Sequence, residues 1–296
     1  MPIAALLFPD FSLILLGFLL MRFTDWGTSF WSGLEKLVYY YLFPALLFYS
    51  TARTPFDFAA SGGMLQLALA ATLAAVALGW LAKPIFRAGP MMFESGVQTA
   101  FRFNSYIALA IASRLAGDKG TTLMALIIGF AVPLCNMAAV HALVHKGGGL
   151  LVELAKNPLL VATAGGLLFN LAGLHLPDII GATLQRMANA SIALGLIAVG
   201  AGLRLSGLKE AKGMAAYFIA VKLLALPAIG YLAGRHAGLP PLQLQILVLF
   251  CAMPTASSAY VLAARMGGNG PYVAFVISAG TVASLFTLPL WLALAS

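Results

Sequence analysis

Residues 251 to 262 read Cys-Ala-Met-Pro-Thr-Ala-Ser-Ser-Ala-Tyr-Val-Leu, inside a stretch otherwise apolar enough to span a bilayer. Pro254 removes a backbone donor and strains the preceding turn. Thr255, Ser257 and Ser258 follow it with hydroxyls, and Tyr260 with a phenol. Lipid cannot satisfy freed carbonyls and amides, so a broken helix at membrane depth belongs where protein or a wet cavity surrounds it. In secondary transporters such breaks form substrate sites.

A second polar cluster lies at Gln98, Arg102, Asn104, Ser105 and Tyr106, again between apolar runs. It has no proline. Asn and Ser compete with a helix for backbone hydrogen bonds, so Arg-Phe-Asn-Ser marks a candidate unwound segment. Two such breaks crossing would bring helix amino ends, with their partial positive charge and free amides, toward one anion. Lys222 sits about ten residues into an apolar run, five residues before Pro227. An intramembrane charge costs several kcal/mol and marks function by default. It reads either as a counter-charge for an anionic substrate or as a lysine that snorkels or caps carbonyls. Asn136, after Pro133, reads either as a ligand for a carboxylate or as a tie between helices.

Other chemistry is excluded. Apart from Asp10, which interrupts the first apolar run, the nine acids fall at span edges or in loops, whereas proton relays and cation carriers usually keep a carboxylate within the membrane. The substrate is therefore expected to be anionic or neutral. His141 and His145 stand at i and i+4, but no Glu follows the first His as a zinc protease requires. Cys135 and Cys251 read as buried apolar thiols. No paired carboxylates or nucleophile–base pair appears in the spans, so no enzyme activity and no cofactor is expected.

The elements that must position these residues follow from composition. The chain has 296 residues, 61% hydrophobic and 9% charged, with a mean hydropathy of +0.96. That describes an all-α polytopic membrane protein; long continuous apolar runs exclude a barrel. Ten spans are predicted, near 3–21, 34–50, 62–86, 92–116, 121–144, 157–174, 188–204, 213–233, 242–265 and 271–294. The first reads as a retained helix rather than a cleavable signal, because Asp10 interrupts it and no basic region precedes it.

The net charge of +8 is explained by topology rather than by nucleic acid. Loops on one side hold Arg22, Lys36, Lys83, Arg87, Lys146, Lys156, Arg204, Lys209, Lys212 and Arg265, with Arg102 counted there or inside span four. The other side holds only Arg53, Arg114, Lys119, Arg186 and Arg235. The richer side is cytoplasmic, so both termini are expected to be periplasmic. Five spans per half is odd, so residues 1–146 and 147–296 would insert as inverted repeats. Asn104-Ser105-Tyr106-Ile107 pairs with Ser258-Ala259-Tyr260-Val261 in support.

The chain resembles the auxin efflux carrier family, within the superfamily of bile-acid, arsenite and riboflavin transporters. Bacterial members are small-carboxylate permeases and plant members auxin carriers. The resemblance rests on Lys156-Asn157-Pro158-Leu159, Lys222-Leu223-Leu224 to Pro227, Met253-Pro254-Thr255-Ala256, and Ser278 through Ser284 to Thr287-Leu288-Pro289. Arg102-Phe103-Asn104 and Pro133 to Asn136 carry it in the first half. It implies a scaffold from spans one, two, six and seven, often dimeric, and a moving transport domain from spans three to five and eight to ten. Spans four and nine would cross beside the site, with elevator or rocking alternating access. Carried over by residue, the best site candidates are Asn104, Asn136, Pro254 and Thr255, followed by Ser257, Ser258 and Tyr260; Ser105, Tyr106 and Lys222 complete the set.

Two departures stand out. Family members often carry a proline at the span-four crossing, where this chain has Asn104-Ser105. The related bile-acid sodium symporters use acidic and amide ligands in span nine, where this chain has hydroxyls. The expectation is a secondary transporter of a small organic anion, a mono- or dicarboxylate, in the bacterial inner membrane. A proton or sodium could be the coupling ion, and a sodium-coupled symporter of the bile-acid type is the alternative.

Overall fold

The computed structural model describes residues 3–53, 58–87, 89–143, 158–203, 211–256, 258–265 and 267–296. Ser257 and the basic link at 145–157 lie outside them. Every regular element among the described residues is helical: α1 (Ile3–Phe23), α2 (Gly27–Leu37), α3 (Phe43–Arg53), α4 (Phe58–Phe86), α5 (Pro90–Gly96), α6 (Ser105–Leu143), α7 (Pro158–Leu171), α8 (Asp178–Ala201), α9 (Lys212–Ala220), α10 (Leu226–His236), α11 (Pro241–Ala252), α12 (Ser258–Arg265) and α13 (Gly270–Ala295). Five stretches are long and apolar enough to cross a membrane: Ser61–Phe86, Pro90–Leu143, Asp178–Ala201, Lys212–His236 and Gly270–Ala295. Phe11–Phe23 and Pro241–Ala252 are shorter apolar helices.

The chain forms two compact units. The first comprises Met1–Ser61, Tyr106–Phe130 and Leu150–Gly202. Its helices approach to backbone contact. A Cβ at Gly17 would enter the Ile197 carbonyl, and one at Gly200 would enter the Ile14 carbonyl. Small residues at such crossings allow the close packing that drives helix association in lipid. In α8, Gly195 and Gly200 do this, Gly195 lying against the Phe43 ring. Gly202 instead caps α8. This helix begins at Asp178, ten residues before the predicted span. Its first turns are mostly exposed, so hydropathy marks only its apolar part.

The second unit comprises Gly62–Ser105, Ala131–Gly149 and Leu203–Ser296. A π-turn at Val221–Ala225 joins α9 to α10. Pro227 follows it, and a proline denies a hydrogen bond to the carbonyl four residues back. That carbonyl, on Leu223, accepts instead from the Trp291 indole of α13 at 2.9 Å. A matching π-turn at Val38–Leu42, which holds Tyr39, Tyr40 and Tyr41, precedes Pro44 in the first unit.

Helix α6 belongs to both units and is not straight. Ala116 (φ −147°) and Gly117 (φ 56°, ψ −137°) leave helical geometry. In an unbroken helix Ala112 and Gly120 would lie about 12 Å apart, yet a Cβ on Gly120 would enter the Ala112 carbonyl. The chain therefore folds back here. Gly117 supplies the positive φ that a side chain resists.

Candidate functional site

The two polar clusters meet within the second unit. The downstream break is set by proline. A residue before proline avoids helical ψ, and Met253 is extended at φ −64°, ψ 139°, ending α11 at Ala252. The helix restarts at Ser258 as α12. The last carbonyls of α11 lose their partners. One of them, on Cys251, accepts from Lys222 Nζ at 3.3 Å.

The upstream break forms without proline. After α5 the chain tightens into a 3₁₀ turn at Val97–Ala100. Thr99 Oγ1 donates to the Gly96 carbonyl at 2.6 Å, and Gln98 Nε2 donates to Ser95 O at 3.2 Å. Phe101 then departs to φ −125°, and residues 102–104 are irregular until α6 begins at Ser105.

The breaks satisfy one another. The Asn104 backbone N–H donates to the Pro254 carbonyl at 2.8 Å. Thr255 Oγ1 donates to the Thr99 carbonyl at 2.7 Å. Cys135 Sγ donates to the Phe101 carbonyl at 3.4 Å. Asn104, Thr255 and Pro254 are buried. The ring of Phe103 packs edge-on against Phe250, 4.7 Å between centroids.

Arg102 is the hub. The residue is 8% exposed. Nη2 donates to Asn136 Oδ1 at 2.9 Å and to Ser258 Oγ at 3.1 Å, and Nη1 reaches Gln98 Oε1 at 3.4 Å. One side chain thus ties the upstream break to α6 and to the first turn of α12. Sequence reading counts Arg102 either as a loop charge or as a residue inside span four, and Lys222 as the one charge deep in a confident span. The structure decides between the two places for Arg102: like Lys222, it is buried. The available signal was an arginine flanked by Phe101 and Phe103, since a solvated loop has little use for that context.

The remaining candidates are placed as follows. Asn136 and Ser105 are half-buried, and Ser258 and Tyr260 are exposed. Tyr106 lies in the first unit, stacked on Phe43 with centroids 4.4 Å apart and planes 6° from parallel. Lys222 is 2% exposed and lies 6.0 Å from the Phe250 ring centroid. It caps a carbonyl, one of the two roles its position allowed. No Asp or Glu whose side chain is described is buried, and among the described residues no His, Cys, Asp and Glu side chains gather to hold a metal.

The first unit holds a separate open cavity of about 600 Å³ at the ends of α3, α7 and α8. Arg53, His175 and Asp178 line it together with Asn170 and Gln185. Its mixed charges select no sign of ligand.

An all-helical chain with long apolar helices, two of them interrupted around a buried guanidinium, has the build of a membrane transport protein. Residues 144–292, half of the chain, match a family model described as membrane transport protein. The chain belongs to this family, the auxin efflux carrier family of transporters, and is not an enzyme. It is 25% identical over 278 residues to a protein of Rhizobium meliloti named "Putative malonate transporter", covering 90% of this chain and 87% of that one. It is 25% identical over 295 residues to an "Uncharacterized transporter" of Methanothermobacter thermautotrophicus, covering 94% of each. It is 24% identical over 305 residues to "Uncharacterized transporter YfdV" of Escherichia coli, covering 97% and 95%.

Proposed function

We propose that the protein is a secondary transporter of a small organic anion, a mono- or dicarboxylate, working by alternating access in the inner membrane. The observation that carries the reading is Arg102, held at the crossing of two helix breaks by the neutral oxygens of Asn136, Ser258 and Gln98. A carboxylate accepts two parallel hydrogen bonds from a guanidinium and outcompetes neutral oxygens for it. The absence of buried acids among the side chains described supports the same sign. The name of the Rhizobium relative, which concerns that protein, agrees with a carboxylate.

In this reading ten spans form two inverted repeats, 1–146 and 147–296, and both termini are periplasmic. Spans three to five and eight to ten carry the substrate past a scaffold of spans one, two, six and seven, which also pairs two copies. Asn104, Ser105, Asn136, Thr255, Ser258 and Tyr260, with Ser257 outside the described residues, surround the anion with hydroxyls and amides. Lys222 adds charge. The membrane potential opposes uptake of an anion by about 2.3 kcal/mol per charge per 100 mV, so uptake needs a coupled ion or exchange.

The test is counterflow of radiolabelled malonate, with a panel of monocarboxylates, into liposomes containing the purified protein. Internal malonate is expected to drive uptake above that of protein-free liposomes. Uptake confined to neutral or cationic solutes overturns the anion assignment. A requirement for a sodium gradient selects the symporter.

A further inference from the structure

The open cavity of the first unit has no part in the transport site. Its walls are held in place. Asn170 Nδ2 donates to the Ala52 carbonyl at 2.9 Å, and a Cβ at Gly166 would enter the Thr51 hydroxyl, so α3 and α7 meet at backbone contact. Ala52, Gly173, Gly181 and Ala182 are small, and they leave its volume of about 600 Å³ open.

The charges in this cavity stand apart. Arg53 turns to Tyr49: its guanidinium carbon lies 4.8 Å from the ring centroid, and Nη1 donates to the phenol oxygen. A guanidinium has five N–H donors, so most remain for a ligand. Asp178 sits in the first turn of α8, where the positive helix end favours an acid without a partner cation. Arg53 and Asp178 are both exposed, and neither is ion-paired among the described residues. A cavity with separate cationic and anionic walls fits a ligand that carries both signs at a distance.

The rim adds a third property. Between α7 and α8, Leu171, Leu174, Ile179 and Ile180 are 60%, 54%, 84% and 51% exposed. A loop surrounded by water has little use for four exposed aliphatic side chains next to its charges. A loop in the layer where headgroups meet acyl chains does, because one end of the site is then wet and the other apolar. The predicted spans two and six end at residues 50 and 174, which puts Arg53 and His175 at that boundary and on the same side of the membrane.

We infer that this cavity holds the headgroup of a zwitterionic aminophospholipid: Arg53, with His175, takes the phosphate, Asp178 takes the primary ammonium, and the aliphatic rim meets the acyl chains. Phosphatidylethanolamine has this chemistry. The arginine fork matches a phosphate, and the carboxylate accepts from an ammonium that has N–H groups to give. Phosphatidylglycerol brings the phosphate without the amine, and phosphatidylcholine brings a quaternary ammonium without N–H. The site lies wholly in the first unit and is independent of the organic-anion reading.

The test is native mass spectrometry of the delipidated full-length protein in detergent, incubated with an equimolar mixture of dioleoyl phosphatidylethanolamine, phosphatidylcholine and phosphatidylglycerol. One phosphatidylethanolamine per chain is expected, retained about fivefold over either competitor. Arg53→Gln is expected to weaken retention of phosphatidylethanolamine and phosphatidylglycerol alike, by about fivefold. Asp178→Asn is expected to abolish the preference between these two while phosphatidylglycerol stays bound.

Equal retention of the three lipids by the wild-type protein overturns the assignment, and so does an undiminished preference in Asp178→Asn. Glycerophosphoethanolamine, the same headgroup without chains, is expected to leave the lipid in place at equal concentration. Displacement by it would make the ligand a soluble phosphoethanolamine and overturn the lipid assignment. If Asp178→Asn fails to fold, the wild-type ratio decides, together with Asp178→Glu, which is expected to preserve it.

Discussion

Pro254 breaks its helix from within, whereas nothing inside residues 97–104 does the same. At the downstream break a single covalent ring forces Met253 into extended geometry and ends α11. At the upstream break the chain could have stayed helical, since Asn, Arg and Phe all tolerate a helix interior at a cost of well under 1 kcal/mol each. It unwinds because its freed groups are received elsewhere: Asn104 N–H by Pro254, the Thr99 carbonyl by Thr255, and the Phe101 carbonyl by Cys135. One break is a property of its own residues. The other is a property of its neighbours. A crossing site of this kind needs only one helix that is intrinsically broken.

That asymmetry can be broken at its source. Pro254→Ala removes the only local cause, lets α11 run on, and withdraws the Pro254 carbonyl and Thr255 hydroxyl from their partners upstream. Transport in liposomes is expected to fall about 100-fold, as displaced site groups typically cost. Full transport in this variant would mean that the upstream break stands alone. Thr255→Val keeps the proline and the shape but leaves the Thr99 carbonyl unmet in a buried place. A loss of about 2 kcal/mol is expected, read as a lower melting temperature of the detergent-solubilised protein; an unchanged value would show that the upstream turn does not depend on the bond. Asn104→Ala should do least to stability. It retains the backbone N–H that reaches Pro254 and loses a side chain at the amino end of α6, worth about 1 kcal/mol. A larger loss than in Thr255→Val would reverse the ranking of the two links.

Legibility follows the same division. Pro254 announced its break in the sequence because proline acts on its own chain. The polarity of Gln98 to Tyr106 suggested the other break, but its depth depended on residues 156 positions away. Arg102 was read only in part, named in the polar cluster of span four but left among the loop charges or inside the span and out of the site candidates. Summing basic residues by loop treats an arginine as a topology marker. Its partners Asn136 and Ser258 are 34 and 156 residues distant, and only the fold brings them in. Lys222 was easier, because a lysine amid Val221, Leu223 and Leu224 stands out as a charge within an apolar run, and capping a carbonyl was among the roles read for it. Its acceptor could almost be foreseen, since a proline at 254 had to orphan carbonyls before it. The early start of α8 was hidden for another reason: helix extends past the apolar window wherever backbone bonds continue into polar surroundings.

The cross-bonding of the two breaks also has a consequence for how the molecule is made. Thr99 and Asn104 leave the ribosome long before Thr255 and Pro254 do. At about 5 to 20 residues per second, 156 residues take roughly 8 to 30 seconds. For that interval the upstream segment has neither of its eventual backbone partners. Water, the translocation machinery or an ordinary helical turn must hold it meanwhile. The nascent chain therefore keeps one of its two breaks unfinished until nearly its last helices arrive.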